Sequence, residues 1–458
     1  MMNKSLYLVM ILVTGFYACG KKDLGGSAAP VNLSIAIEYS TEVSSIGLRK
    51  DSALVRITNN TSGTVIEAYT NNNGVAGFAS ITPGLYTVTS SITIPKDKYQ
   101  QLSGTVVDQD VVFNGNLSNQ SITNAQTNLI TPLVSGRLGN WVFKQIYYAG
   151  SNTASGASFR DQFFEIYNNS TDTLYADSLC FAQMIGVNNT TANYPANGYL
   201  SSNQYDWTKS IGMNDANANT NYVYARSVYM IPGAGKQYPV LPGKSLVIAQ
   251  TAQNHAAPYV MNDGTVQGIT DASTTIDLSR SDFETYLVDY KRAESGNSPT
   301  FSPYKWDVDN PLVANMSVVY VASGSDMVLD NVGRDAFILY KLNGANPKTS
   351  LPFFPLPTIT SVSATTTLYQ QIPIKHVIDA VEIQRAVESQ RVPKRLQNSL
   401  DAGPTNVSAG EYSSQSLIRK TARTVNGRRI LQDTNNSAND FATKKKADPS
   451  KTDDSFTY

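Results

Sequence analysis

Between Val31 and Ser40 the chain alternates apolar and polar side chains. Leu33, Ile35 and Ile37 point one way and Ser34, Ala36 and Glu38 the other. A period of two suits a half-buried strand and is wrong for a helix. The pattern repeats at Leu54-Val55-Arg56-Ile57 and Val65-Ile66-Glu67-Ala68-Tyr69. Asn71-Asn72-Asn73-Gly74 then supplies residues that tolerate positive φ. In Ile81-Thr82-Pro83-Gly84, Pro presets φ and Gly accepts the left-handed region, which predicts a type II turn into a strand through Leu85, Tyr86 and Val88. Short alternating runs separated by turn residues commit the chain to an all-β fold.

A second β region opens at Trp141-Val142-Phe143-Lys144-Gln145-Ile146-Tyr147-Tyr148. Further strands are expected at Phe163–Tyr167, Ser245–Ala249, Ala336–Tyr340, Val377–Val381 and Ser416–Lys420. Asp282 to Lys291 has apolar residues at helical spacing and predicts one short amphipathic helix. The segment Lys444-Lys445-Lys446 through Tyr458 is polar and is expected to be loose.

Two resemblances organise these pieces. The strand, Asn-Asn-Gly turn, Gly77-Phe78 and Ile81-Thr82-Pro83-Gly84-Leu85-Tyr86-Thr87-Val88 series resembles carboxypeptidase-regulatory-like and prealbumin-like β-sandwiches over residues 31–133. Such a domain implies a structural spacer. From 141 to 447 the order of motifs resembles a lamin-tail, immunoglobulin-like β-sandwich. The matching positions are Glu165, Tyr167, Asn168, Pro242, Gly243, Asp379, Val381, Ser416, Leu417, Asp440 and Phe441. An ordinary sandwich needs roughly 100 residues, so long insertions are expected at about 186–240, 262–335 and 344–372. The expected division is a signal peptide at 1–18, a lipidated linker at 19–30, sandwiches at 31–133 and 141–447, and a polar tail at 448–458.

The amino terminus carries an address. Lys4, an apolar run from Leu6 to Val13 and Phe16-Tyr17-Ala18-Cys19 form a secretory signal too short to span a bilayer. Ala18-Cys19 resembles the lipobox of bacterial lipoproteins, which implies that Cys19 is lipidated and becomes the first mature residue. Gly20-Lys21-Lys22-Asp23 reads either as a solvated linker or as a charged surface-export tag. The arrangement as a whole resembles Bacteroides-type outer-membrane lipoproteins classed as domain of unknown function 4876. That resemblance implies an outer-membrane setting, at the cell surface or on the periplasmic face, often beside a TonB-dependent transporter.

With 36 basic and 36 acidic residues the chain presents no net field for nucleic acid. Once Cys19 is assigned to lipid, Cys180 has no partner, and Leu179-Cys180-Phe181 predicts a buried thiol. The only histidines are His255 and His376, and no metal-ligand spacing, nucleophile elbow or phosphate loop occurs. No cofactor, metal or catalytic residue is expected. Asp307-Val308-Asp309-Asn310 matches the start of a calcium loop but lacks its glycine and distal Glu.

Residues 188–224 concentrate Tyr194, Tyr199, Tyr205, Trp207, Tyr222 and Tyr224 among Asn and Thr. This is the composition of a protein-binding or sugar-binding loop, and equally of a loop that buries its own rings. Asp51-Ser52-Ala53, Asp172-Thr173-Leu174 and Asp177-Ser178-Leu179 resemble an O-glycosylation motif of such bacteria, which would modify Ser52, Thr173 and Ser178. The same dipeptides also form ordinary turns. The expected function is a lipid-anchored, non-enzymatic binding or accessory protein partnering a TonB-dependent transporter in nutrient capture. The alternative is direct binding of a glycan, or of haem or another iron carrier, for which Tyr is an available axial ligand. A hydrolase is the least favoured reading.

Overall fold

The computed structural model describes residues 29–39, 41–103, 110–123, 127–135, 141–170, 172–189, 197–342, 344–425 and 427–458. Cys19, the signal segment and Tyr194 lie outside the described residues.

Seven strands form the amino-terminal part. From edge to edge they run Val65–Tyr69, Leu54–Asn59, Gly84–Ile94, Val111–Ile122, Asn128–Ser135, Val31–Tyr39 and Val75–Ile81. Neighbours are antiparallel except Val31–Tyr39, which runs parallel to Asn128–Ser135 with Ile35 beside Leu129. Leu33, Ile35, Val55, Ile57, Phe78, Val88 and Phe113 all point into one core. Gly74 turns the chain at φ 76°, while Asn71 Oδ1 accepts the Asn73 amide at 2.9 Å. Gly84 departs from the expected type II turn. It keeps ordinary strand geometry and pairs with Ile122, so extension of the ladder overrides local turn preference there.

The larger part is a sandwich of two seven-stranded sheets. One sheet runs Ala314–Asn315, Phe283–Glu284, Ser245–Ala249, Phe163–Asn168, Trp141–Tyr147, Ser416–Arg419 and Phe441–Lys444. The other runs Phe353–Pro355, Leu368–Pro373, Tyr222–Met230, Cys180–Met184, Asp335–Tyr340 and Val377–Ile383, with Ser317–Val321 also paired to Tyr222–Met230. Phe143, Phe164 and Ile166 from the first sheet meet Phe181, Phe337, Leu339 and Val381 from the second. The Phe164 and Phe181 rings stack at 3.9 Å. Cys180 is fully buried, and burial pushes its thiol up to about 12.

Residues scattered along the sequence converge between the sheets. Arg419 donates to Asp379 Oδ2 at 2.6 Å and to the Phe143 carbonyl at 2.7 Å, while Asp433 and Asp440 lie at 3.3 and 3.7 Å. The Phe441 ring lies under the guanidinium. Asn168 Nδ2 bonds the Asp172 and Val240 carbonyls, both at 2.8 Å, which ties the strand end to the approach to Pro242-Gly243. Gly243, at φ 75°, turns that chain, and a Cβ there would press on Arg428 Cγ at 2.8 Å.

Two expectations fail here. The helix begins at Val288 and ends at Glu294, because Phe283–Glu284 is drawn into a strand parallel to Ile248–Ala249. The carboxy-terminal segment is docked, not loose. Lys144 and Glu165 pair at 2.9 Å with neither side chain exposed, and Lys144 Nζ also donates to Ser455 Oγ at 2.6 Å. Phe456 lies over that ammonium at 3.8 Å and edge-on to Tyr167. Lys444 Nζ holds the Asp454 and Thr457 carbonyls at 2.9 and 2.8 Å. A buried ammonium is costly to leave bare, and the segment supplies its missing acceptor and apolar cover.

Candidate ligand-binding cleft

A cavity of about 840 Å³ opens between the amino-terminal sheet and the larger sandwich. Its first wall follows from strand alternation. Val55, Ile57 and Val88 are spent on the core, so Arg56, Thr58, Thr87 and Thr89 must face outward. Register sets Arg56 beside Thr89, Thr58 beside Thr87, and Thr89 beside Asn116 on the next strand. The result is a flat face of hydroxyl and amide groups. Asn116 Nδ2 reaches the Ala402 carbonyl, Asn114 Nδ2 reaches the Thr434 carbonyl, and Asn398 Nδ2 returns to the Asn116 carbonyl at 3.3 Å.

The second wall is built from the insertion after Met184 and the segment after Ile383. Leu200, Ser202, Asn203, Gln204, Tyr205 and Tyr222 line it, with Arg391, Lys394, Arg395, Gln397 and Asn398 beside them. Asp206 organises the loop by accepting the Thr208 hydroxyl at 2.5 Å and Asn219 Nδ2 at 2.8 Å. Burial works against its ionisation, but those bonds win and hold its carboxyl below the usual range.

The aromatic cluster divides into two roles. Trp207 and Tyr224 are buried and stack at 3.6 Å with 5° between the planes. Tyr224 Oη donates to the Ala218 carbonyl and accepts from Gln371 Nε2, both at 3.0 Å. Packing the loop onto the sheet leaves these rings little exposed surface, although both border the cavity. Tyr199 and Tyr205 stack on each other at 5.4 Å and stay half-buried, and burial pushes the Tyr205 phenol up to about 12. Tyr222, also half-buried, donates to Asp215 at 2.8 Å. Among the described residues the more accessible aromatics of the loop are Tyr199, Tyr205 and Tyr222, while Tyr205, Trp207, Tyr222 and Tyr224 all border the cavity.

The cationic residues on this wall were not singled out in the sequence. Spacing alone gives no signal for them, because Arg391, Lys394 and Arg395 look like any solvated run. Their placement depends on Glu382, a buried carboxylate that accepts the backbone amides of Arg395 and Leu396 at 3.1 and 3.0 Å and so pins the segment.

Other candidate residues fall elsewhere. Asp177 is buried and caps the amides of Gly235, Gln237 and Tyr238 at 2.9 to 3.0 Å, so the triplet around Ser178 is a structural corner. Ser52 and Thr173 are exposed. Asp307 accepts the Leu287 amide at 2.8 Å, and Asp309 accepts Asn315 Nδ2 at 2.9 Å. Those carboxylates are used in holding loops. Among the described residues no three His, Cys, Asp or Glu side chains gather as a metal site. His255 is buried with Nε2 2.9 Å from the Thr251 carbonyl. A second depression, of about 920 Å³, lies between residues 272–281 and 444–458. Its Lys444 and Lys451 are occupied by the Asp454 carbonyl and the Asp282 carboxylate.

Residues 241–448 match the profile of a family described as "Protein of unknown function (DUF4876)". The chain is similar to the crystal structure of a DUF4876 family protein from Bacteroides thetaiotaomicron. Identity is 24%, covering 90% of this chain and 95% of that one, with a TM-score of 0.48. Fainter likenesses, at 10% identity and TM-scores of 0.18, link it to two further structures. Fervidolysin from Fervidobacterium pennivorans covers 49% of this chain and 28% of its own. A candidate adhesin from Bacteroides ovatus covers 80% and 89%. No curated protein matches the chain. Among the described residues no helix is long and apolar enough to cross a membrane.

Proposed function

We propose that this chain is a lipid-anchored, non-catalytic binding protein of the outer membrane that holds a glycan in the cleft between its two β parts. The observation that carries this reading is the pairing of the two walls. Thr58, Thr87, Thr89 and Asn116 face a wall of amides with Tyr205 and Tyr222. Ligand sites of roughly 300–1,000 Å³ suit small molecules and short oligomers. Hydroxyl and amide groups match a ligand that is itself covered in hydroxyls, and half-buried Tyr rings offer apolar faces beside them. Anchoring through Cys19 and delivery to a TonB-dependent transporter complete the proposed accessory role.

The test is binding of an oligosaccharide library to the full chain and to a cleft-filling variant, Thr89→Trp. The reading requires that the wild type retain glycans and that the variant lose them without a change in melting temperature. Equal retention by both would move the site elsewhere. The anchor is tested separately: Cys19→Ser should leave the membrane fraction, and persistence there contradicts lipidation at Cys19. Co-purification of a β-barrel transporter with native-level protein tests the delivery role, and its absence under gentle detergent counts against it.

A further inference from the structure

The cleft's second wall carries Arg391, Lys394 and Arg395 within one short segment, and Glu388 is the carboxylate lining the cavity beside them. Their hydrogen-bond partners are neutral. Arg391 Nε donates to the Arg385 carbonyl at 3.0 Å, and Lys394 Nζ to Asn398 Oδ1 at 2.9 Å and the Asp401 carbonyl. Arg395 Nη2 donates to Asn188 Oδ1, and its Nε and Nη1 are buried with no hydrogen-bond partner. The carboxylates behind the wall attract Lys394 and Arg395 but hydrogen-bond other groups. Asp335 binds Arg226 at 2.6 Å, Glu382 takes backbone amides and Gln384, and Asp401 takes Ser437 and the Glu382 amide. Burial opposes ionisation of these three carboxylates, and equally of Lys394 and Arg395.

Arg391, half-buried, puts its guanidinium at the cavity wall against a neutral carbonyl partner. Its planar fork fits a carboxylate better than a hydroxyl. We infer that the cleft selects carboxylate-bearing glycans, with Arg391, Lys394 and Arg395 receiving the acidic group and the threonine wall receiving the ring hydroxyls. This rests on the glycan reading of the cleft.

The deciding experiment presents the full chain in detergent with an array of oligogalacturonates, sialylated oligosaccharides, the methyl esters of both, sulfated oligosaccharides and neutral oligosaccharides. Carboxylated members should be retained, and esterification should weaken binding at least about tenfold, as expected for loss of a charge-assisted hydrogen bond. Arg391→Gln, at a half-exposed position, should weaken the acidic members by a similar factor and more than it weakens neutral ones. Arg395→Gln should do the same if it folds, and Arg391→Gln keeps the test valid if it does not. Esters bound as well as acids, or retention of sulfated or neutral members alone, overturns the carboxylate assignment while the glycan cleft stands. Retention of no member overturns the cleft reading and this inference with it.

Discussion

Arg419 and Asp379 belong to different sheets of the larger sandwich, and their side chains meet at 2.6 Å with about 1% of each exposed. Asp379 also accepts the Phe143 amide at 2.7 Å, so a single carboxylate joins the two sheets through a charge and a backbone bond. Removing Arg419 would leave Asp379, Asp433 and Asp440 facing one another without a counter-charge. Arg419→Met should lower stability by about 3–5 kcal/mol, the range for breaking a buried ion pair. Urea unfolding followed by near-ultraviolet circular dichroism measures it, and a loss below about 1 kcal/mol would show that the cluster is dispensable.

Crowding of carboxylates makes stability depend on pH. Burial, and then Asp433 against the opposing pull of Arg419, pushes Asp379 and Asp440 up to about 7 from 3.8. Burial pushes Glu284 to about 7 and Asp307 to about 8. The folded state then holds protons that the unfolded chain releases, so this stabilisation is full below about pH 4 and is lost as pH rises through 7 to 8. Asp177 and Asp206 act oppositely, because hydrogen bonds lower them and their contribution is lost as pH falls below 3.8. The urea midpoint should be higher at pH 5 than at pH 8. An equal or lower midpoint at pH 5 would contradict the protonated cluster.

The docked carboxy terminus predicts a local sensitivity. Phe456→Ala removes the ring over Lys144, and truncation after Lys451 also removes Ser455. The single substitution should cost about 1–3 kcal/mol, combining apolar burial with the cation–π contact. Truncation should cost more and open the Lys144–Glu165 pair to hydrogen exchange at the neighbouring strand amides. Unchanged protection of Trp141–Tyr147 after truncation would show that the segment is not a cover.

Two aromatic positions should separate stability from binding. Trp207→Ala empties a stacked, buried site and should cost about 3–5 kcal/mol. Tyr205→Ala, at the cavity wall, should cost far less stability and weaken glycan retention instead. Reversal of that order would place the ligand face on the wrong ring.

The all-β architecture was legible because alternation and turn residues act locally. Leu33, Ile35 and Ile37 face the core as their period requires. The motif residues Glu165, Asp379 and Asp440 were recognisable as a set, but their chemistry was not. Only the fold brings Lys144 to Glu165 or Arg419 to three carboxylates from distant segments. The tail was misread for the same reason: polar composition says nothing of a buried ammonium that needs an acceptor. In the Tyr-rich insertion, composition could not separate Trp207 and Tyr224, which the loop buries, from Tyr205 and Tyr222, which stay half-buried.

Photo-crosslinking with a diazirine-bearing oligosaccharide, followed by peptide mapping, tests the cleft most directly. Labels on both walls, in the strands Leu54–Asn59 and Gly84–Ile94 and in residues 199–205 and 391–398, are the predicted result. Labels confined to the depression between residues 272–281 and 444–458, or label yields unaffected by Thr89→Trp, would contradict it.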